Sequence, residues 1–253
     1  MGNKSKKELV KEYKISRRTL NNWFKPFWKK PINPDIKNIT GKILIIDGKF
    51  ISRNIVCLIG IVNKKVVNWK FFLLNLDVPF AIVCDGQRGM LKAIKQLFPR
   101  VIIQRCQFHV IKYCLAKLTR NPESIAGQIL RLLVLNISKV KNKNNLDNWL
   151  KEFTHWYFKY KDFLNEKTYF YLLTSTSRRR WSYTHKNLHA SFSHLKNALP
   201  YLFQYINHPT IPNTTNQIEG GLNSLLQEKL RNYRGLKLKK RIFLASYFLS
   251  SKQ

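Results

Sequence analysis

The chain has 253 residues, 44% apolar and 13% aromatic, with only ten Gly and nine Pro, so it can bury a core and is neither a disordered nor a collagen-like polypeptide. Forty-six Lys and Arg against thirteen Asp and Glu leave a formal charge of +33, so at most thirteen cations can meet a carboxylate. Such self-repulsion calls for a polyanion, nucleic acid first; a membrane partner is not expected, because no apolar stretch approaches the roughly 20 residues of a spanning helix.

The opening MGNKSKKELVKEYK is charged with no apolar run behind it, so no signal peptide is read. Cys57, Cys84, Cys106 and Cys114 do not make a disulfide scaffold at this length, and reduced thiols in a cytoplasmic, nucleoid-associated protein are expected. Residues 5–15 read as a short helix, and Ser16 can cap a second over 17–27 with Leu20, Trp23, Phe24 and Phe27 on its apolar side. Arg17, Arg18, Asn21 and Asn22 on that second helix suggest a helix-turn-helix in residues 1–30 that offers Arg and Asn to base edges. An amphipathic hairpin packed on the main body is the alternative. Residues 31–40, with Pro31 and Pro34, read as a linker.

From Gly41 the pattern changes period. Runs at 42–51, 54–62 and 66–74, rich in Ile, Val and Phe, read as three strands in a meander. A fourth run, 80–84, ends at Asp85-Gly86; a helix at 90–97 and a fifth run at 101–103 follow. That order predicts an α/β fold with a mixed sheet. Residues 106 to about 205 look helical, and further helices are expected over 216–230 and 236–249.

With so few acids, their positions carry information. Asp47 follows Ile43-Leu44-Ile45-Ile46 and Asp85 follows Ala81-Ile82-Val83-Cys84, each at or near the end of a buried-looking strand where a charge is costly unless a cation meets it. If those strands lie side by side and parallel, the carboxylates converge. Two carboxylates plus a third are what a two-Mg²⁺ site flanking a scissile phosphate needs. Asp47-Gly48 also reads as a hairpin turn, and Asp85-Gly86 as a strand-to-helix turn with Asp85 as cap. The third acid is Glu219, at the flank of an apolar stripe formed by Ile218, Leu222, Leu225 and Leu226. A capping box from Asn216 to Glu219 is its other reading, although Gly220-Gly221 then stays unexplained and suggests close approach of a backbone or ligand.

The order of Asp47 in a strand, Asp85-Gly86 after a later one, Gln104-Arg105-Cys106-Gln107-Phe108-His109, a long helical stretch, and Pro212-Asn213-Thr214-Thr215-Asn216-Gln217-Ile218-Glu219-Gly220 resembles the mutator-type bacterial insertion-sequence transposases. The resemblance implies a DDE enzyme on a ribonuclease-H-like mixed five-stranded sheet spanning 41–253, with a large all-α insertion at about 120–205. It implies Asp47, Asp85 and Glu219 as ligands of Mg²⁺ or Mn²⁺, and His109, from the Cys-x-x-His signature, beside the scissile phosphate or a flanking base. It further implies double-stranded DNA with terminal inverted repeats and target DNA as partners, a homodimer or higher oligomer on DNA, and Arg231 and Arg234 near the cleavage point.

Cys106 and His109 share a helix face, but a structural zinc wants four ligands and no second pair has convincing company; His185 and His189 sit four apart without flanking cysteines. Arg178, Arg179, Arg180 and Trp181 put cations beside an aromatic ring, a mixture suited to phosphate contacts and base stacking, with a solvated helix face and a core Trp181 as the alternative. Cleavage and strand transfer at the ends of an insertion sequence is the expected activity. A nuclease or a non-transposing DNA-binding protein derived from a transposase is the rival.

Overall fold

The computed structural model describes residues 6–26, 32, 39–52, 55–69, 78–169 and 181–253, and of residues 50–52, 55, 56 and 219 the backbone alone. It divides into two compact units: residues 1–84, 88–102 and 215–253, and residues 85–87 and 103–214.

The first unit opens with α1 (Lys6–Glu12) and α2 (Arg17–Phe24). The Ser16 hydroxyl accepts the Thr19 N–H at 2.9 Å, the expected cap, and Leu20 is buried. Trp23, expected on the apolar side, is instead 54% exposed, and Phe27 lies outside the described residues. Lys6 Nζ donates to Asn21 Oδ1 at 2.8 Å, tying the two helices together. Of the expected linker, Ile32 is described; its N–H donates to Ser246 Oγ.

Five strands follow: β1 (Ile43–Ser52), β2 (Ile55–Val62), β3 (Lys65–Asn68), β4 (Ala81–Cys84) and β5 (Ile102–Arg105), in the order β3-β2-β1-β4-β5, with residues 103–105 of β5 counted in the second unit. β1–β2 and β2–β3 are antiparallel, whereas β1–β4 is parallel from Ile43↔Ala81 to Ile45↔Val83, so the sheet is mixed as expected. Every residue of β4 is buried, as a central strand's apolar run requires. The β2–β3 turn places Asn63 and Lys64 at φ +49° and +65°, the left-handed pair that matches strand twist in a tight hairpin. β3 is shorter than its apolar run; residues 70–77 lie outside the description.

The helix α3 (Arg88–Leu97) leads from β4 towards β5. A π-helix (Gln217–Asn223), α9 (Ser224–Asn232) and α10 (Leu238–Ser250) complete the first unit. The π-helix and α10 pack against β1, and Ile218 on the former and Phe243 and Leu249 on the latter are buried.

The second unit holds α4 (Gln107–Leu118), α5 (Ile125–Asn136), a 3₁₀ turn (Ile137–Lys139), α6 (Lys143–Asn165), α7 (Lys186–Leu202) and α8 (Gln204–Asn207). In α6, Trp149, Phe153, Trp156 and Leu164 recur at helical spacing and meet Val110, Leu130, Val134, Phe192 and Leu195 in one core. Ser124 and Asn142 cap α5 and α6 through side-chain oxygens. The expectation of an all-α insertion is corrected here. An antiparallel ribbon, β6 (Lys167–Tyr169) with β7 (Trp181–Tyr183), interrupts it. Thr and aromatic side chains favour a pleated pairing, and each strand is too short for its period to stand out among flanking helices. Among the described residues no helix is long and apolar enough to cross a membrane.

Candidate active site

Asp47 lies in the middle of the ten-residue β1, opposite Ile59, and Gly48 is paired with Leu58. The strand-end placement and the hairpin-turn reading of Asp47-Gly48 are therefore both corrected: pairing with β2 carries β1 onward to Ser52. Alternation puts Asp47 on the same face as Ile43 and Ile45, where it is 6% exposed. A carboxylate so buried needs donors. The Asn223 amide Nδ2 donates to Asp47 Oδ2 at 2.7 Å, and Asn223 is itself buried at the end of the π-helix.

That π-helix carries the backbone of Glu219, four positions before Asn223 and close to one turn away. The capping box is corrected, since Asn216 is helical and makes no side-chain cap bond. The backbone half of the close-approach reading of the glycines is corrected as well: a Cβ at Gly220 or Gly221 would meet no protein atom within 4 Å. Two adjacent glycines instead weaken α-helical propensity where the turn widens. Widening shifts the helical phase, so Ile218 and Leu226 are fully buried, Leu225 is 45% exposed, and Asn223 takes an inward place. The expected stripe through Leu225 presumed an unbroken 3.6-residue period.

In the second unit, Asp85 directly follows Cys84, and its Oδ1 accepts the Gln87 N–H at 3.0 Å in a turn that leads into α3. Gly86 adopts φ +79°. Arg105, buried at the end of β5, donates through Nη2 to the Asp85 carbonyl at 3.3 Å and faces His194 Nε2, also at 3.3 Å. A Cβ on Gly86 would collide with that guanidinium, so space and backbone conformation both require glycine. Guanidinium only donates, so His194 Nε2 accepts and the ring carries its proton on Nδ1. The His194 ring stacks on Tyr113, with centroids 4.0 Å apart.

Burial, and then the Arg105 charge, push the His194 pKa down to about 4. Unfolded, the same ring takes its proton near its ordinary 6.5, so stability is fully present above that pH and falls as the pH drops towards 4. Wild type should lose on the order of 1–2 kcal/mol more than His194→Gln between pH 7 and 4 in urea unfolding, allowing for partial exposure. Parallel losses in the two proteins would refute this linkage.

Cys106 is fully buried before α4, and His109, half-buried on that helix, meets the Phe108 ring edge-on at 6.0 Å. His185 Nε2 pairs with Glu166 Oε2 at 2.9 Å, and His189 stacks on Tyr183. Among the described residues no three of His, Cys, Asp and Glu group to hold a metal ion; the Glu219 side chain lies outside them. Burial pushes the Cys57 thiol up to about 12 and Cys114 up to about 11, so both stay protonated at neutral pH.

Arg17, Arg18 and Asn21 are exposed on α2; Arg231 ends the exposed side of α9, and Arg234 is exposed in the turn after it. Arg178, Arg179 and Arg180 lie outside the described residues. Trp181 is 37% exposed on β7 with Lys167 Nζ 4.3 Å from its ring centre, which corrects the core alternative for this residue. Sequence reasoning missed Asn223 and His194 and gave Arg105 no role. A buried Asn beside an apolar stripe, and an Arg at the end of a buried strand, were the available signals.

A family model described as "Transposase, Mutator family" matches residues 69–234 of the chain. No curated protein matches it.

Proposed function

The chain belongs to the Mutator family of transposases, and from that premise we propose that it catalyses divalent-ion-dependent cleavage and strand transfer at the ends of an insertion sequence, on a ribonuclease-H-like sheet. Asp47, Asp85 and Glu219 hold the ions in this reading. The observation that carries it is the Asn223–Asp47 bond, which seats the helix bearing Glu219 against the strand bearing Asp47. The parallel pairing of β1 with β4, from Ile43↔Ala81 to Ile45↔Val83, is the side-by-side strand arrangement this reading presumes.

The donor chemistry fits the ions. Carboxylate oxygens are the hard ligands that Mg²⁺ and Mn²⁺ accept, and the Gln87 N–H orients Asp85 through one oxygen. What a pair of such ions supplies when bound is activation of the attacking oxygen and stabilisation of the leaving one. Water attacks phosphorus at the element's end, a new P–O bond forms, the bond to the 3′-oxygen breaks, and a 3′-hydroxyl is freed. That hydroxyl then attacks a target phosphodiester in line, exchanging one P–O bond for another.

Around this centre, His109 contacts the scissile phosphate or a flanking base. Arg17, Arg18 and Asn21 read the terminal repeats from a helix-turn-helix. Arg178, Arg179, Arg180, Arg231 and Arg234 neutralise phosphates, and Trp181 offers a stacking face. Joining two ends requires at least a dimer, acting on DNA in the cytoplasm.

Asp85→Ala tests the assignment. Mg²⁺-dependent cleavage of duplexes carrying the element's ends should disappear while DNA binding, measured by gel shift, persists. Unchanged cleavage sinks the role of Asp85. A wild-type chain that binds DNA and never cleaves it with Mg²⁺ or Mn²⁺ sinks the enzymatic reading in favour of a binding protein.

A further inference from the structure

We propose that Arg105 and His194 are positioning residues for Asp85: a single guanidinium nitrogen, shared between the Asp85 carbonyl and His194 Nε2, sets the turn that carries the Asp85 carboxylate. The inference rests on the reading of Asp85 as an ion-holding residue. All of its parts lie in the second unit.

Nη2 of a guanidinium has two hydrogens. That is enough to serve both the Asp85 carbonyl and His194 Nε2, each 3.3 Å away. Gly86 admits the guanidinium against the backbone, because it has no Cβ to collide with it and adopts φ +79°. The turn is closed from its other side by the Gln87 N–H on Asp85 Oδ1. A shift of the Asp85 carbonyl therefore carries the carboxylate with it.

His194 is fixed in turn. Its ring stacks on Tyr113 of α4, and its suppressed basicity keeps it neutral around pH 7, with the Nε2 lone pair available to the guanidinium. His194 belongs to α7, part of the helical insertion, and α4 packs on α7. The placement of Asp85 thus depends on how α7 is seated. A mislaid ligand is expensive at such a centre, since about 1 Å of displacement costs roughly 10²-fold in rate.

The test uses the full-length chain as wild type, His194→Leu, His194→Gln and Arg105→Lys, with circular dichroism confirming the fold of each. His194→Leu deletes the acceptor; His194→Gln keeps an amide oxygen that can accept. Hydrogen exchange at the Gln87 amide should accelerate about tenfold in His194→Leu and return close to wild type in His194→Gln, with α7 amides unchanged. In Mg²⁺-dependent cleavage, kcat should fall roughly 10²-fold in His194→Leu and Arg105→Lys with KM for DNA within about twofold, and recover in His194→Gln. Gln87 exchange and kcat both unmoved in His194→Leu overturn the proposal. So does a loss that Gln does not restore and that α7 amides share, since that marks plain packing damage. If His194→Leu loosens Gln87 while the wild-type chain shows no ion-dependent cleavage, the reading of Asp85 as an ion ligand falls, and the catalytic purpose of the turn falls with it.

Discussion

Asp47→Asn removes divalent-ion-dependent cleavage by about a thousandfold or more and leaves the fold intact. The substitution is nearly isosteric, and an Asn side-chain oxygen can still accept the 2.7 Å bond from Asn223. It deletes a negative charge at a site 6% exposed, which relieves burial cost and leaves stability level or raised. An uncharged amide is a far weaker ligand for a hard divalent cation. Losing several kcal/mol of charge stabilisation in the transition state corresponds to roughly three decades in rate. The pairing of unchanged or higher urea midpoint with lost cleavage separates a ligand from a structural carboxylate. A variant that cleaves at the wild-type rate would make Asp47 a purely architectural residue.

Trp156→Ala should destabilise the second unit by about 3–5 kcal/mol. The ring is among the largest fully buried side chains, stacked with Phe153 at 6.2 Å and tilted against Phe192 at 5.7 Å and Tyr160 at 6.0 Å. Its Nε1–H donates to the Ala126 carbonyl at 2.9 Å, linking α6 to α5. Truncation opens a cavity between aromatic neighbours that cannot collapse and removes that bond as well. Leu132→Ala, at an exposed position of α5, is the control and should change stability by less than about 0.5 kcal/mol. Urea unfolding followed by circular dichroism reads both. A cost below about 1 kcal/mol for Trp156→Ala would contradict the packing described for this core.

Elements whose period repeats over several turns or strand pairs were legible in the amino-acid order. The five strands, α3 and the Ser16 cap of α2 follow from β-branched runs, helical spacing and a capping Ser, all of them local. Asp47 and Asp85 stood out because charge beside a buried run is rare, and the family follows from motifs spread along the chain. The ribbon β6–β7 was not legible, since each strand has three residues and its partner lies more than ten positions away. Nor was the π-helix, because no local pattern distinguishes a widened turn from an α-helix weakened by two glycines.

The linear order thus set the kinds of elements, the cationic surface and the rarity of the acids, because propensity, periodicity and charge act between near neighbours or by simple excess. The three-dimensional fold alone chose the partners: Asn223 for Asp47, and Arg105 with His194 for the Asp85 turn. Hydrogen bonds between residues separated by 20, 89 and 176 positions depend on helical phase and sheet register, and a single widened turn is enough to exchange the side chain that faces inward.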